Sequence, residues 1–174
     1  SDSPVCSLAN SAGILAHPET HMDWVRPGIM LYGSSPFAAH APDHFDLQPV
    51  MTLKSRILSI KKLPAGHSVG YAGRYATSVP QTVGLVAIGY ADGYPRHLPT
   101  GTPILVNGKR TQLLGRVSMD MIAVDLAEIP DASVGDEVIL WGKGLPIDEI
   151  AARAGTISYE LMCGLTRRVQ FTYV

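Results

Sequence analysis

The sequence predicts a mainly β domain preceded by a short α/β fragment. Seventeen glycines and thirteen prolines interrupt the chain every few residues, which leaves little room for long helices. From Pro49 onward, short strand-like runs alternate with turn residues, whereas the residues before position 34 include continuous apolar runs typical of strands buried on both faces. With 174 residues, the chain is long enough for one domain and part of another.

The first 37 residues are predicted to form the α/β fragment. Their predicted elements are a strand at residues 5–8, a helix at residues 12–16 that Ser11 caps, and a strand at residues 29–32. A fragment of this size cannot bury both faces of a parallel sheet by itself, so we expect it to belong to a longer protein. Residues 38–48, which include three alanines, two histidines and a proline, have the composition of a linker.

Residues 49–174 are predicted to form the β domain. Asn107-Gly108, between two apolar runs, is a strong signal for a two-residue hairpin turn. One helix is predicted at residues 146–154, where apolar side chains recur at helical spacing and Gly155 follows as a C-cap. The predicted strands lie at residues 51–60, 83–90, 104–106, 111–114, 121–126, 137–141 and 168–173.

The composition excludes several classes of function. Fourteen basic and fifteen acidic residues leave a formal charge of −1, so no basic face for nucleic acid is expected. The longest apolar run, residues 83–88, is too short to cross a bilayer, and the first residues lack the features of a signal peptide. Cys6 and Cys163 lie far apart, as expected of free thiols in a reducing compartment. We therefore expect a cytoplasmic protein with neither nucleic-acid nor membrane partners.

Two junctions in the α/β fragment have the chemistry of an anion site. In Arg26-Pro27-Gly28-Ile29, the backbone N–H groups of Gly28 and Ile29 are available to a phosphate beside a positive charge. Ser11 offers a hydroxyl at the start of a helix. Each motif alone is more often an ordinary loop or cap, but two of them at consecutive strand ends favour a phosphate site.

Three tyrosines lie in motifs that favour an exposed phenol. Tyr71 and Tyr90 are flanked by glycines, and Tyr159 lies in Ser158-Tyr159-Glu160. A phenol in a turn can act as a proton donor, a proton acceptor or a phosphate ligand. For each tyrosine alone, a packed ring with one satisfied hydrogen bond is the more common case.

The remaining polar motifs favour structural roles. Arg116 and Asp120, in Gly-Arg-Val-Ser-Met-Asp, are expected to pair with each other beside the start of a strand. The histidine pairs at positions 17/21 and 40/44 have a spacing that suits zinc on a helix. A proline interrupts each pair and excludes helical geometry, so no metal site is expected.

Taken together, the motifs occur in the order of one family. They are Ala9-Asn10-Ser11, residues 26–33, Val69-Gly70-Tyr71, residues 89–93, residues 115–120 and Ser158-Tyr159-Glu160, and they cover essentially the whole chain. The ordered set resembles the C-terminal half of bacterial alanine racemase, an enzyme that depends on pyridoxal 5′-phosphate. The resemblance implies the last strands of an α/β TIM-type barrel over residues 1–37, then a barrel-like β domain with one short helix, and a homodimer.

The resemblance implies a role for each matching residue. Tyr71 matches the tyrosine that exchanges the α-proton on the L-alanine face, and Met119 matches the residue whose backbone N–H holds the substrate carboxylate. Arg26 matches the arginine that faces the pyridine nitrogen of the cofactor. The positions that match the phosphate site are Ser11, Gly28, Ile29 and Tyr159, and those that match the site lining and the access corridor are Tyr90, Arg96, Arg116, Asp120 and Ile157.

Several features of the family lie outside the matching segments. A tyrosine has an unperturbed pKa of about 10, so it needs a partner that stabilises its phenolate, and the family's histidine for this purpose is not found in the sequence. The cofactor-binding lysine, which is also the base on the D-alanine face, belongs to earlier barrel strands, as does an arginine that contacts cofactor and substrate. We therefore expect this chain alone to be inactive. In the family, the residues that match Tyr71 and Met119 serve the site of the other subunit, which makes the dimer obligatory.

The predicted function is the interconversion of L- and D-alanine when the N-terminal half is present. This reaction supplies D-alanine for cell-wall peptidoglycan. A racemase of the same fold with broader amino-acid specificity is an open alternative, because the corridor residues do not settle the choice. A barrel-type pyridoxal phosphate decarboxylase is less favoured, because Arg26 stands where such enzymes place a carboxylate. A cofactor-binding module without catalysis is disfavoured, since family members of that kind lack the β domain.

Overall fold

The computed structural model describes residues 4–37, 42–70, 73 and 75–174, which form two compact units that divide between Met51 and Thr52. Within these ranges, the first unit contains one α-helix, α1 (Ser11–Ala16), and three short 3-10 segments at Pro18–Thr20, Ile29–Tyr32 and Pro42–Phe45. Among the described residues of this unit, strand pairing is limited to a parallel bridge between Ser7 and Trp24.

The strands predicted at residues 5–8 and 29–32 are wrong. Residues 29–32 form a 3-10 segment that ends at Gly33, whose φ of 78° lies in the left-handed region. Residues 5–8 are exposed, and Ser7 alone among them is paired in the described part of the chain. A continuous apolar run becomes a strand only where neighbouring strands satisfy its backbone hydrogen bonds, and the described part of the first unit supplies no such ladder.

Asn10, rather than Ser11, caps helix α1. Its Oδ1 accepts a hydrogen bond of 3.1 Å from the backbone N–H of Gly13. Ser11 is the first residue of the helix and is buried. The prediction of Ser11 as the cap is therefore wrong, and its hydroxyl makes other contacts, described below.

In the part of the chain that the structure describes, the second unit is built from eight strands. They are β1 (Leu53–Leu63), β2 (Ser68–Val69), β3 (Tyr75–Ala76), β4 (Gln81–Val86), β5 (Pro103–Val106), β6 (Lys109–Leu114), β7 (Ile122–Asp125) and β8 (Glu137–Trp141). Six of them close an antiparallel barrel in the order β1–β4–β7–β6–β5–β8, and β2 pairs with β3 in a separate hairpin. The prediction of a mainly β, barrel-like domain is confirmed.

Local signals in the sequence account for several barrel elements. The turn Asn107-Gly108 joins β5 to β6 with both residues at positive φ, as the hairpin signal predicts. Strand β8 has the predicted bounds, and its Val138 and Leu140 are fully buried. The strand predicted at residues 83–90 ends earlier, at Val86, because the chain then turns into a 3-10 segment at Tyr90–Asp92.

The helices of the second unit follow the last strand. The predicted helix is confirmed as α2 (Ile147–Ala154), which buries its apolar face and ends at Gly155 in the left-handed conformation. A further helix, α3 (Ser158–Cys163), was not predicted, because six residues carry too little periodicity. Residues 168–173 form no strand, and Phe171 and Tyr173 are exposed, since no strand of the described chain pairs with them. No helix within the described ranges has the length and apolar character that a membrane span requires.

Candidate active site

The candidate site residues are distributed over both units. Ser11, Arg26, Gly28 and Ile29 belong to the first unit. Those in the second unit are Tyr90, Arg96, Arg116, Met119, Asp120, Ile157 and Tyr159. Tyr71 lies outside the described residues, in the segment that joins β2 to β3.

The Ser11 hydroxyl connects the start of α1 to the segment after Pro27. Its oxygen accepts hydrogen bonds from the backbone N–H of Gly28 at 2.8 Å and from that of Met30 at 3.4 Å. Both bonds use the oxygen as acceptor, and among the described residues no acceptor takes the hydroxyl hydrogen, which can therefore be donated to an anion. The Gly28 N–H was predicted to bind phosphate, but in this structure it donates to Ser11 instead. The donor offered to an anion here is therefore the serine O–H.

Gly28 leaves space directly beside this hydroxyl. A Cβ added to Gly28 would stand 3.8 Å from Ser11 Oγ, and apart from the two chain neighbours of Gly28, no other heavy atom of the described residues would lie within 4 Å of it. Any larger residue would fill the space in front of the serine oxygen. A hydroxyl donor facing an open position that a side chain would occupy fits the phosphate group of a cofactor.

Arg26 is held in place by the chain that precedes α1. Its Nη1 donates to Ser7 Oγ at 2.8 Å and to the Ser7 carbonyl at 3.0 Å, and its Nη2 donates to the Leu8 carbonyl at 3.5 Å. Its own backbone N–H donates to the Ala9 carbonyl. None of these partners is acidic, so Arg26 presents a positive charge in a fixed orientation.

The segment that leads into Tyr71 lies against the backbone at positions 115 and 116. A Cβ on Gly115 would stand 3.0 Å from the Val69 carbonyl oxygen, and one on Gly70 would stand 3.9 Å from the backbone N and O of Arg116. The motifs Val-Gly-Tyr and Gly-Arg-Val, separate in the sequence, are therefore neighbours. Arg116 is half-buried and forms no ion pair within the described ranges.

Tyr90 and Met119 lie on two segments that are in backbone contact. The N–H of Tyr90 donates to the Ser118 carbonyl and the N–H of Ala91 donates to the Met119 carbonyl, both at 3.0 Å. A Cβ on Gly89 would stand 2.3 Å from each of these two carbonyl oxygens, so only glycine permits the approach. The peptide between Ser118 and Met119 is trans, so the Met119 N–H points opposite to the Ser118 carbonyl, away from the Tyr90 N–H.

Asp120 pairs with Arg168 and not with Arg116, so the predicted pair is wrong. Arg168 Nη2 donates to Asp120 Oδ1 at 2.7 Å, and Arg168 Nε lies 3.1 Å from Asp92 Oδ1. The hydrogen bond to Asp120 is the main cause that raises the pKa of the Arg168 guanidinium above its ordinary value; desolvation opposes it, and the charges of Asp92 and Asp120 add smaller upward effects. Arg168 was missed at the sequence level because Asp120 lies 48 residues away, beyond any local pattern.

The other predicted lining residues are exposed. The Arg96 guanidinium carbon stands 5.9 Å from the centre of the Tyr90 ring, within the range of a cation–π contact. Met119 is 52% exposed. Ile157 and Tyr159 lie at the start of α3 and are also exposed, so the Tyr159 hydroxyl is on a helix rather than in the predicted turn.

Comparison with family models divides the chain in two. Residues 50–173 match the model described as "Alanine racemase, C-terminal domain", and residues 1–36 match "Alanine racemase, N-terminal domain". The chain is 58% identical over 164 residues to the alanine racemase of Nitrosospira multiformis, covering 94% of this chain and 46% of that protein. It is 56% identical over 162 residues to the catabolic alanine racemase of Pseudomonas putida, covering 93% of this chain and 45% of that protein.

The solved structures that superpose on this chain are also alanine racemases. The biosynthetic alanine racemase of Pseudomonas aeruginosa superposes with a TM-score of 0.93 at 52% identity, over 97% of this chain and 47% of that one. The alanine racemase of Bartonella henselae, solved with covalently bound pyridoxal phosphate, superposes with a TM-score of 0.87 at 35% identity, over 98% of this chain and 48% of that one. This chain spans about half the length of the proteins it matches.

Proposed function

The chain belongs to the alanine racemase family, and we propose that it is the C-terminal half of a pyridoxal 5′-phosphate-dependent enzyme that interconverts L- and D-alanine. The observation that carries the proposal is the 58% identity with the Nitrosospira multiformis alanine racemase over 94% of the chain. We propose that the protein acts in the cytoplasm and supplies D-alanine for peptidoglycan.

The proposed division of the chain follows the same comparison. Residues 1–37 are the end of the α/β barrel, residues 38–48 are a linker, and residues 49–174 are the C-terminal β domain. The match of residues 1–36 to the family's N-terminal domain supports the first assignment. The exposed apolar side chains of the first unit, such as Leu8 and Trp24, also support it, because the remaining part of a barrel would cover them.

The proposed roles at the cofactor follow the resemblance of the motifs. When bound, pyridoxal phosphate withdraws electrons from the α-carbon of an amino acid and makes its proton easier to remove. Ser11 donates its hydroxyl hydrogen to the phosphate in the space that Gly28 leaves open, and Ile29 and Tyr159 are the further phosphate ligands. Arg26 holds its charge towards the pyridine nitrogen and keeps that nitrogen unprotonated, because a fixed guanidinium disfavours a second positive charge beside it.

The substrate is oriented and deprotonated by residues of the β domain. The Met119 N–H, which points away from the Tyr90 backbone, donates to the carboxylate of alanine. Tyr71 exchanges the α-proton on the L face, and a base from the N-terminal half acts on the opposite face. Two groups are required because a single base would return the proton to the side from which it came.

We propose that the active protein is a homodimer in which Tyr71 and Met119 serve the site of the partner subunit. Met119 and Met121 are 52% and 43% exposed on the segment that leads into β7. Exposed methionines beside glycine-rich segments are suited to an interface. A shared site of this kind makes the dimer a condition of activity.

The test of the function is an assay of the full-length protein with pyridoxal phosphate. Alanine chirality and carbon dioxide release are measured in the same reaction, with other L-amino acids as a second substrate set. We expect racemisation of alanine without carbon dioxide. Carbon dioxide without racemisation would favour the decarboxylase, and equal rates with several amino acids would favour a racemase of broad specificity. The 174-residue chain, assayed in parallel, is expected to show no racemisation.

The role of Tyr71 is tested by Tyr71→Phe in the same protein. We expect a loss of racemisation on the order of 10²–10⁴-fold, the usual contribution of a general acid–base group, with cofactor binding retained. Tyr75→Phe is the matched control, because Tyr75 lies in the adjacent strand and its hydroxyl donates to Gln81 Oε1 at 2.7 Å. Unchanged racemisation by Tyr71→Phe would show that this tyrosine has a structural role.

A further inference from the structure

Arg168 connects the two backbone segments that carry Tyr90 and Met119. Its Nε lies 3.1 Å from Asp92 Oδ1 and its Nη2 lies 2.7 Å from Asp120 Oδ1. Asp92 ends the 3-10 segment that begins at Tyr90, and Asp120 directly follows Met119. The two carboxylates are bound by different nitrogens of one planar group, an arrangement that a lysine ammonium does not reproduce.

The chain around Arg168 is itself fixed to the Tyr90 segment. Thr166 donates its backbone N–H to the Asp92 carbonyl at 3.1 Å and its hydroxyl to the Ala91 carbonyl at 2.8 Å. Its hydroxyl oxygen also accepts the Arg168 N–H at 3.3 Å. Gly93 permits the chain around Gly164 to approach the Tyr90 segment this closely, because a Cβ on Gly93 would stand 2.3 Å from the Gly164 carbonyl oxygen. The guanidinium therefore starts from a defined position next to Asp92.

The contacts of Arg168 with Asp92 and Asp120 fix the direction of the Met119 backbone N–H. Asp92 Oδ2 accepts the Gly89 N–H at 2.8 Å, which fixes the start of the Tyr90 segment. That segment in turn holds the Ser118 carbonyl through the Tyr90 N–H, and so sets the direction of the Met119 N–H. Asp120 fixes the other side of Met119. Residue 119 is thus held from both sides, although its own side chain is exposed.

Stability alone does not account for the arrangement. The side chains of Arg168 and Asp120 are each about half exposed, and ion pairs with this exposure contribute little to folding. The Asp92 side chain is 14% exposed, so one end of the link is shielded and directional. An interaction that is weak in stability but fixed in geometry is suited to orienting a neighbouring group.

We propose that Arg168 is a positioning residue for the substrate-carboxylate site: by binding Asp92 and Asp120 together, it orients the backbone N–H of Met119. The proposal rests on the proposed racemase function. It assigns a role to the C-terminal segment, which makes no strand and which the function described above does not use.

The test uses the full-length, cofactor-loaded protein and three variants, Arg168→Gln, Arg168→Lys and Lys109→Gln. Lys109 is the matched control, because its exposed ion pair with Asp131 at 3.2 Å lies elsewhere on the barrel. We expect Arg168→Gln to raise KM for L-alanine and to lower kcat/KM by roughly 10- to 100-fold, as misplacement of a binding group does. Arg168→Lys is expected to recover part of this loss, and Lys109→Gln to match the unaltered protein.

Amide hydrogen exchange supplies a readout that does not depend on activity. In Arg168→Gln, the amides of Tyr90 and Ala91 are expected to exchange faster, because their acceptors on Ser118 and Met119 are less firmly held. Amides in β8 are expected to keep their protection. In the double variant with Asp120→Asn, the second substitution should have little further effect on KM, because both changes remove one interaction.

The outcomes separate the inference from the proposed function. Normal KM in Arg168→Gln, with the unaltered enzyme fully active, would overturn the positioning role alone. A fall in kcat/KM that follows only from a lower melting temperature, with unchanged exchange at Tyr90 and Ala91, would also overturn it. An unaltered full-length protein that does not racemise alanine would overturn the proposed function and with it the substrate-site assignment.

Discussion

Arg26 donates a hydrogen bond of 2.8 Å from its guanidinium to the Ser7 hydroxyl, 19 residues earlier in the chain. The same Nη1 also donates to the Ser7 carbonyl, so one residue supplies two of the acceptors that fix the arginine. Because Arg26 is exposed, its orientation depends on these bonds rather than on packing. A substitution of Ser7 therefore changes the orientation of the Arg26 guanidinium, which is proposed to face the cofactor nitrogen, and leaves its positive charge in place.

Ser7→Ala is expected to weaken cofactor binding modestly. The substitution removes the bond to the hydroxyl and keeps the one to the carbonyl, so the loss is about 1 kcal/mol, or roughly 5-fold in affinity. Pyridoxal phosphate is titrated into the full-length apoprotein and followed by its absorbance. Cys6→Ala, an exposed neighbour, is the control and should bind normally. An affinity unchanged in Ser7→Ala would show that the carbonyl contacts alone orient Arg26.

Ser11→Ala is expected to lower both stability and cofactor affinity. The change leaves the Gly28 N–H without its acceptor, and because Gly28 is exposed, water can replace that acceptor, so the expected cost is about 0.5–1.5 kcal/mol. It also removes the hydroxyl hydrogen proposed for the phosphate. Urea unfolding and cofactor titration measure the two effects, with Ser55→Ala as the control, since the Ser55 hydroxyl donates to the Ala87 carbonyl on the barrel. Normal affinity in Ser11→Ala would contradict its place in the phosphate site.

The barrel elements could be predicted where the signal is local. The Asn107-Gly108 turn, strand β8 and helix α2 depend on turn chemistry, on a run that follows the turn at Gly135-Asp136 and on a C-cap, all of which lie within about ten residues. The strand predicted from the apolar run at 29–32 is wrong because its formation does not depend on a local signal. Whether it becomes a strand depends on partner strands that lie elsewhere in the chain, and a local pattern contains no information about them.

The residue types of the site could be predicted from the sequence, but the contacts and ion pairs between them could not. The glycine motif at 89–93 predicts an exposed phenol and the motif at 115–120 predicts an ion pair, but neither predicts the close approach of Gly89 to the Ser118 and Met119 carbonyls that the structure shows. The pairing of Asp120 was assigned to its nearest arginine in sequence, Arg116, whereas the fold brings Arg168 to it. Long-range ion pairs follow from topology, so sequence spacing favours the wrong partner.

Leu140→Ala is expected to destabilise the barrel strongly. Leu140 lies in β8 with no exposed surface, and truncation of such a residue leaves a cavity that costs about 2–5 kcal/mol. Leu58→Ala is the matched control, because Leu58 is in β1 and is 51% exposed, and it should cost about 1 kcal/mol or less. Urea unfolding is followed by tryptophan fluorescence, to which the buried Trp141 contributes. Equal costs for the two leucines would contradict the assignment of β8 to the core.

Tyr94→Phe is expected to remove an alkaline loss of stability. Burial raises the pKa of the Tyr94 hydroxyl above its ordinary value, and this hydroxyl has no hydrogen-bond partner among the described residues. In the unfolded chain the phenol ionises near pH 10, whereas in the folded protein it stays protonated. The unfolded state therefore binds fewer protons above about pH 10, and the free energy of unfolding falls there by up to about 1.4 kcal/mol per pH unit.

Below about pH 10 the Tyr94 hydroxyl is protonated in both states and contributes no pH dependence. The phenylalanine ring of the variant fills the same space against the stacked Trp141 ring, 6.0 Å away between centroids, so Tyr94→Phe should change stability little at neutral pH. Urea unfolding between about pH 7.5 and 10.8 compares it with the unaltered protein and with Tyr75→Phe, whose hydroxyl is paired with Gln81 in the unaltered chain. The stability difference between Tyr94→Phe and the unaltered protein should grow only above about pH 10. A constant difference across the range would show that Tyr94 ionises equally in the folded and unfolded states.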